Sequence, residues 1–202
     1  MYKEIDIDNY KYVYETTLNQ IEEIYNYYNI VMDNIEMEVY MSPADYLISR
    51  NISYIYSALN YAKKQIEVWY KMIENKRKVR VVVNHNNLSL DHYLRGDKPY
   101  LISWDKSKID MPIFDLISLY NNHYLDFDFI ELINIYLNKY PLSAEEITLL
   151  LTIISIPKKI IQNESVYQTV LNIRKQLDYL YKTSELVKKY NIKQETNEQW
   201  KF

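Results

Sequence analysis

The chain has no cysteine and only one glycine in 202 residues. Without thiols there is no disulfide framework, no thiolate metal centre and no cysteine nucleophile, and a reducing compartment is the natural setting. A chain that cradles phosphate on backbone amides normally needs several glycines for close approach. Neither the dinucleotide-binding glycine pattern nor the P-loop occurs, so the commonest nucleotide sites are excluded. Long apolar runs are missing as well. The densest, Ile147 to Ile156, is about half of the roughly 20 residues that a membrane-spanning helix needs. Met1 to Tyr10 has no basic region followed by an apolar core, so it does not read as a secretory signal. There is no excess of one charge: 24 basic and 27 acidic residues leave a net charge of −3. The two signs are interleaved, as on an ordinary solvated surface. These absences predict a cytoplasmic protein that binds neither nucleic acid nor membrane.

What is abundant is tyrosine, 23 residues of it, together with Ile, Asn and Lys. That mixture reads as the codon bias of an AT-rich genome rather than as a functional tyrosine cluster. Tyr14, Leu18, Ile21, Tyr25, Tyr28, Met32 and Ile35 recur at spacings of four and three, which predicts one long helix over 8–38. Ser42-Pro43-Ala44-Asp45 opens a second helix, with a Ser cap, Pro in the first turn and an acid at the positive end. Its stripe is Ile48, Ile52, Ile55, Leu59, Ala62, Ile66, Trp69 and Ile73. The short connection predicts an antiparallel helical hairpin over 8–76.

The period changes after Lys78. Val79-Arg80-Val81-Val82-Val83 is β-branched and short, which predicts a buried strand. His92 to Arg95 and Tyr100 to Ser103 predict a hairpin, with Arg95-Gly96-Asp97-Lys98 as its turn and Gly96 at a positive φ. Helical signals resume at Pro112, in short helices around Ile113–Tyr120 and Ile130–Leu137. The Ser143–Glu146 capping box opens a third that stops before Pro157, and Val166, Val170, Ile173, Leu177, Leu180 and Val187 mark a long last helix. The tail over 192–202 is polar and is expected to fray, with Trp200 and Phe202 exposed.

Chemistry concentrates between Val79 and Leu116. A strand leads into Asn84-His85-Asn86-Asn87-Leu88-Ser89-Leu90-Asp91-His92. The hairpin leads to Ile102-Ser103-Trp104-Asp105, and Met111-Pro112-Ile113-Phe114-Asp115-Leu116 opens the next helix. This order resembles the catalytic core of aminoglycoside phosphotransferases, choline kinases and CotS-type spore coat proteins. In that family the strand leads into His-Gly-Asp, four residues and Asn; the hairpin leads to Ile-Asp-Phe/Trp-Asp/Glu; and Pro-x-x-Asp-Leu opens a helix. The resemblance implies a mainly α fold, a kinase-like C-terminal lobe with a long helical hairpin and a small antiparallel β element at a vestigial catalytic loop. It covers roughly residues 40 to 190, so the family's N-lobe has no counterpart among the residues before Val79. On this reading one domain spans 1–191: the hairpin over 8–76, the catalytic-loop-like region over 79–105 and a helical remainder over 112–190.

Position by position, His85 matches the family histidine, while Asn87 stands at the catalytic aspartate. His92 stands at the metal-binding asparagine, and Ser103 at the metal-binding aspartate. Trp104, Asp105, Pro112, Asp115 and Leu116 match, with Asp115 implied to be a structural brace. Phosphoryl transfer needs a carboxylate to take or orient a proton, and oxygen ligands to hold magnesium. Asn87 cannot accept a proton at neutral pH, Ser103 offers one neutral oxygen, and His92 is a nitrogen donor poorly suited to magnesium.

The resemblance therefore implies a pseudokinase-like protein with no intact catalytic residue and no cofactor, acting by binding or scaffolding through a protein partner or a homo-oligomer. The alternative is an ATP- and Mg2+-dependent small-molecule phosphotransferase whose N-lobe lies outside this chain, with Asp91 or Asp105 in displaced roles. Asp91, His92 and Asp105 are its candidate metal ligands. His85 reads first as a loop brace, with an acid–base or ligand role as the sharper alternative, and His123 reads as a helix C-cap. The helical stripes read first as intramolecular packing, with an intermolecular coiled coil as the alternative. A third reading, a bare helical interaction module, requires that residues 79–105 form no strand and hairpin.

Overall fold

The computed structural model describes residues 2–4, 7–160 and 165–199, with side chains over 10–160 and 165–190. The described residues are mainly helical, with short antiparallel β pairs. In chain order the elements are β1 (Tyr2–Glu4), α1 (Ile7–Met37), α2 (Pro43–Ile73), β2 (Lys78–Arg80), β3 (Val82–Asn84), β4 (Tyr93–Leu94), β5 (Tyr100–Leu101) and β6 (Lys108–Asp110). Four helices follow: α3 (Ile113–His123), α4 (Phe129–Lys139), α5 (Ala144–Ser155) and α6 (Val166–Gln199). They gather in two compact units. One runs to Tyr14 and then from Glu67 to Ile154; the other runs from Glu15 to Ile66 and resumes at Ser155.

In the second unit, α1 and α2 form the antiparallel hairpin that their stripes predict. Tyr25 packs on Tyr56 with centroids 5.0 Å apart, Tyr56 donates to Asn29 Oδ1 at 2.7 Å, and Lys63 pairs with Glu22. Ser42 and Asp45 cap α2 reciprocally: the Asp45 N–H donates to Ser42 Oγ, and the Ser42 N–H to Asp45 Oδ2. The α2 stripe is buried as predicted except at Ile52, which is half-buried. The α1 stripe is turned by about one position. Thr17, Ile21, Ile24, Tyr28, Val31 and Ile35 are buried, and Tyr25 is exposed. Each full burial of such an aliphatic or aromatic side chain is worth roughly 1.5–3 kcal/mol. Two tyrosines tie down the segment before α6: Tyr28 donates to the Lys158 carbonyl at 2.7 Å and Tyr27 to that of Ile160 at 2.6 Å.

The first unit holds all six strands. β1 pairs with β2, β3 with β6 and β4 with β5, each pair antiparallel. The single strand predicted from Val79 to Val83 is two, broken at the buried Val81, so that β2 and β3 serve different partners. β1 has no counterpart in the sequence reading, because three residues of mixed character carry no period. Arg80, at the end of β2, pairs with the buried Glu146 through Nε at 3.0 Å and through Nη2. Glu146 also completes the α5 capping box by accepting from the Ser143 N–H at 2.8 Å. The same carboxylate thus caps a helix and docks a strand.

Two local expectations are corrected. Gly96 is not at positive φ. A Cβ there would meet only the Lys98 carbonyl, at 3.5 Å, so the connection between β4 and β5 is wide enough to need no left-handed residue. The left-handed positions are Asn86 (φ 60°) and Ser103 (φ 65°). The last helix does not end near Asn191: its backbone continues to Gln199, well past Val187, the last residue of the predicted apolar stripe. Trp200 and Phe202 lie outside the described residues.

Candidate functional site

Residues 85–92 connect β3 to β4 as a loop closed by a short 3₁₀ turn, Leu90–His92. One face of α3 holds it. Asp115, in the first turn, accepts from the backbone N–H of His85 through Oδ2 and from that of Asn86 through Oδ1, both at 2.8 Å. One turn on, Ser118 donates to the Leu88 carbonyl at 3.4 Å, and Asn122 reaches the same oxygen at 3.5 Å. His123 closes the row: its Nε2 accepts from the Leu90 N–H at 3.2 Å. Nδ1 then carries the proton and donates to Asp126 at 2.7 Å. Positions 115, 118, 122 and 123 share a helix face because their spacing matches its period.

His123 is therefore a loop anchor rather than the helix C-cap that its position suggests. Sequence reasoning gave Ser118, Asn122 and Asn84 no role. Asn84 is buried and donates to the Met111 carbonyl at 2.8 Å, tying the start of the loop to the start of α3. A polar period of three and four on a helix whose other face is apolar was the available signal.

His85 is buried, and its Nε2–H donates to the Ile102 carbonyl at 2.7 Å, joining the loop to the segment Ile102-Ser103-Trp104-Asp105. Its ring centroid lies 5.3 Å from that of His92 and 5.0 Å, edge-on, from that of Trp104. His92 donates from Nδ1 to the Asn87 carbonyl at 2.8 Å, closing the loop on itself. Trp104 donates to Leu101 at 2.8 Å. His85, His92 and Trp104 are thus brought together as a packed aromatic group.

The carboxylates are arranged otherwise. Asp91 is exposed in the 3₁₀ turn, and its backbone N–H donates to the capping Ser89 Oγ at 3.3 Å. Asp105 is exposed in a second such turn, Trp104–Lys106, which Ser103 enters in the left-handed conformation. Asn87 is half-buried and Ser103 exposed. Among the described residues no three His, Cys, Asp or Glu side chains form a metal-holding group. Asn87 and Ser103 each offer one neutral side-chain oxygen, and the Nδ1 of His92 is engaged by the Asn87 carbonyl. Magnesium prefers an octahedron of hard, mostly anionic oxygen.

Comparison with known protein families, with curated proteins and with solved structures returns no match for this chain. No helix among the described residues is long and apolar enough to cross a membrane.

Proposed function

We propose that this chain is a catalytically inactive, pseudokinase-like protein of the aminoglycoside phosphotransferase and CotS type, which acts by binding or scaffolding. One observation carries the reading. A strand, a loop held by a helix-borne aspartate, a hairpin and a Ser-Trp-Asp turn follow in the order of that family's catalytic core, yet the loop has no carboxylate at Asn87 and the turn none at Ser103. The internal bracing supports it: Asp115 and His85 hold the loop through backbone groups, which is an architectural role. Asn86, at the position of the family's glycine, takes the left-handed conformation that glycine would supply. A bare helical module is disfavoured, because residues 79–105 contain strands and a hairpin.

The phosphotransferase alternative requires Asp91 and Asp105 to converge on one cleft. Asp91 instead faces solvent and is engaged with its own turn, which weighs against that reading. The test is calorimetric titration of the chain with magnesium–ATP, together with an assay for γ-phosphate transfer to small hydroxyl and amine acceptors. No transfer is expected. Magnesium-dependent transfer that is lost in Asp105→Ala would overturn the proposal.

A further inference from the structure

We propose that the turn joining α1 to α2 is a docking surface for a basic, amphipathic segment of a partner protein. Met37, Val39, Tyr40 and Met41 are all exposed there, the first three at 82%, 87% and 88%. Apolar residues scattered singly on a surface need no explanation, but four among the five residues from Met37 to Met41 mark a contact surface. Methionine and aromatic side chains are the types that such surfaces favour. The turn is also held in place. The Glu38 N–H donates to the Ile35 carbonyl at 3.3 Å, the Asp45 N–H donates to Ser42 Oγ at 3.2 Å, and Ser49 Oγ lies 4.0 Å from Met41 Sδ. Little ordering is left for a partner to impose.

Charge chooses the occupant. Asp33, Glu36, Glu38 and Asp45 are acidic, and no Lys, Arg or His occurs from Tyr12 to Ser49. Glu36 and Glu38 are exposed and belong to none of the ion pairs among the described residues. Beside them an open groove of about 370 Å3 is lined by Val31, Asn34, Ile35, Met37, Glu38 and Asp45. Apolar and carboxylate side chains lining one groove suit lysine or arginine, whose aliphatic stem packs while the cationic head meets a carboxylate in water. An anionic bilayer would be repelled by the same charges, and two copies meeting turn to turn would set like charges together. The inference is independent of the loop at His85 and of the family resemblance.

The experiment titrates the 15N-labelled chain with a short amphipathic peptide of leucine and arginine and follows the backbone amides by NMR. Saturable shifts are expected at Glu36 to Met41, with no saturable response to the same peptide carrying glutamate in place of arginine. Binding should be about fivefold weaker in Glu36→Gln/Glu38→Gln, which removes two exposed charges, and weaker again in Met37→Ser/Tyr40→Ser. All four side chains are exposed, so both variants should melt at the temperature of the unsubstituted chain. A lower melting temperature of the serine variant would show those side chains packed within the fold and overturn the proposal. No shift at residues 36–41 up to about 1 mM peptide, or equal binding of the glutamate peptide or by the glutamine variant, also overturns it. So does tighter binding to phosphatidylglycerol vesicles than to the peptide, which would make the turn a lipid contact. A dimer in sedimentation that Met37→Ser/Tyr40→Ser dissociates would place a second copy on the turn, with the same consequence.

Discussion

Asp115 shows how much one side chain can organise. A carboxylate accepting two backbone N–H groups at 2.8 Å makes two charge-assisted bonds, and both go to consecutive residues of the loop. Removing it leaves those donors to compete for water on a half-buried surface. Asp115→Ala should therefore lower stability by about 3 kcal/mol, measured by urea unfolding, and should speed amide exchange at His85 and Asn86 before the rest of the chain. Unchanged exchange at those two amides would remove Asp115 from the role assigned to it. Asn86 and Ser103 belong to the same scale. Both hold a left-handed backbone without a glycine, which Asn tolerates better than most residues. The one glycine, by contrast, sits where any residue would fit.

At the scale of elements, tyrosine does work that the sequence disguises as bias. Tyr27 and Tyr28 on α1 donate their hydroxyls to the carbonyls of Ile160 and Lys158, and Tyr190 is buried near the end of the α6 stripe. Burial raises the pKa of all three, that of Tyr190 to about 12. In the unfolded chain these phenols titrate near the ordinary value of about 10. Above that pH the unfolded state sheds protons that the folded state retains, so stability falls as pH rises. Stability at this unit should thus be flat up to about pH 9 and decline between about 10 and 12, read from helical circular dichroism alongside phenolate absorbance. Replacing Tyr27, Tyr28 and Tyr190 by Phe should blunt the decline; an unchanged profile in that variant would contradict the assignment.

For the whole molecule, the balance of charge matters more than any site. A net charge of −3 with the two signs interleaved along the sequence gives little drive to release counterions from a nucleic acid. Filter binding of duplex DNA at about 0.15 M salt should give no specific retention, and none that steepens as salt is lowered beyond the weak background of an acidic protein. Tight, salt-sensitive retention would contradict this. At this scale the core also differs from a count of apolar residues. Thr148, Thr152, Thr169 and Thr183 are buried within helices, each hydroxyl donating to the carbonyl one turn back, so they occupy core positions at little polar cost.

The amino-acid sequence by itself determined the long hairpin, the caps at Ser42 and Ser143, the stop before Pro157 and the change from helix to strand after Lys78. Each of these is a local matter of side-chain period, backbone propensity or a cap within four residues. It also placed the chemistry-bearing residues in one segment. Only the tertiary structure decided that Val81 divides one apparent strand into two, that the α1 stripe centres on Ile24 and Val31, and that α3 grips the loop through Asp115, Ser118, Asn122 and His123. Those features depend on which distant backbone group lies within about 3 Å of a polar atom, and no period along the chain records that distance.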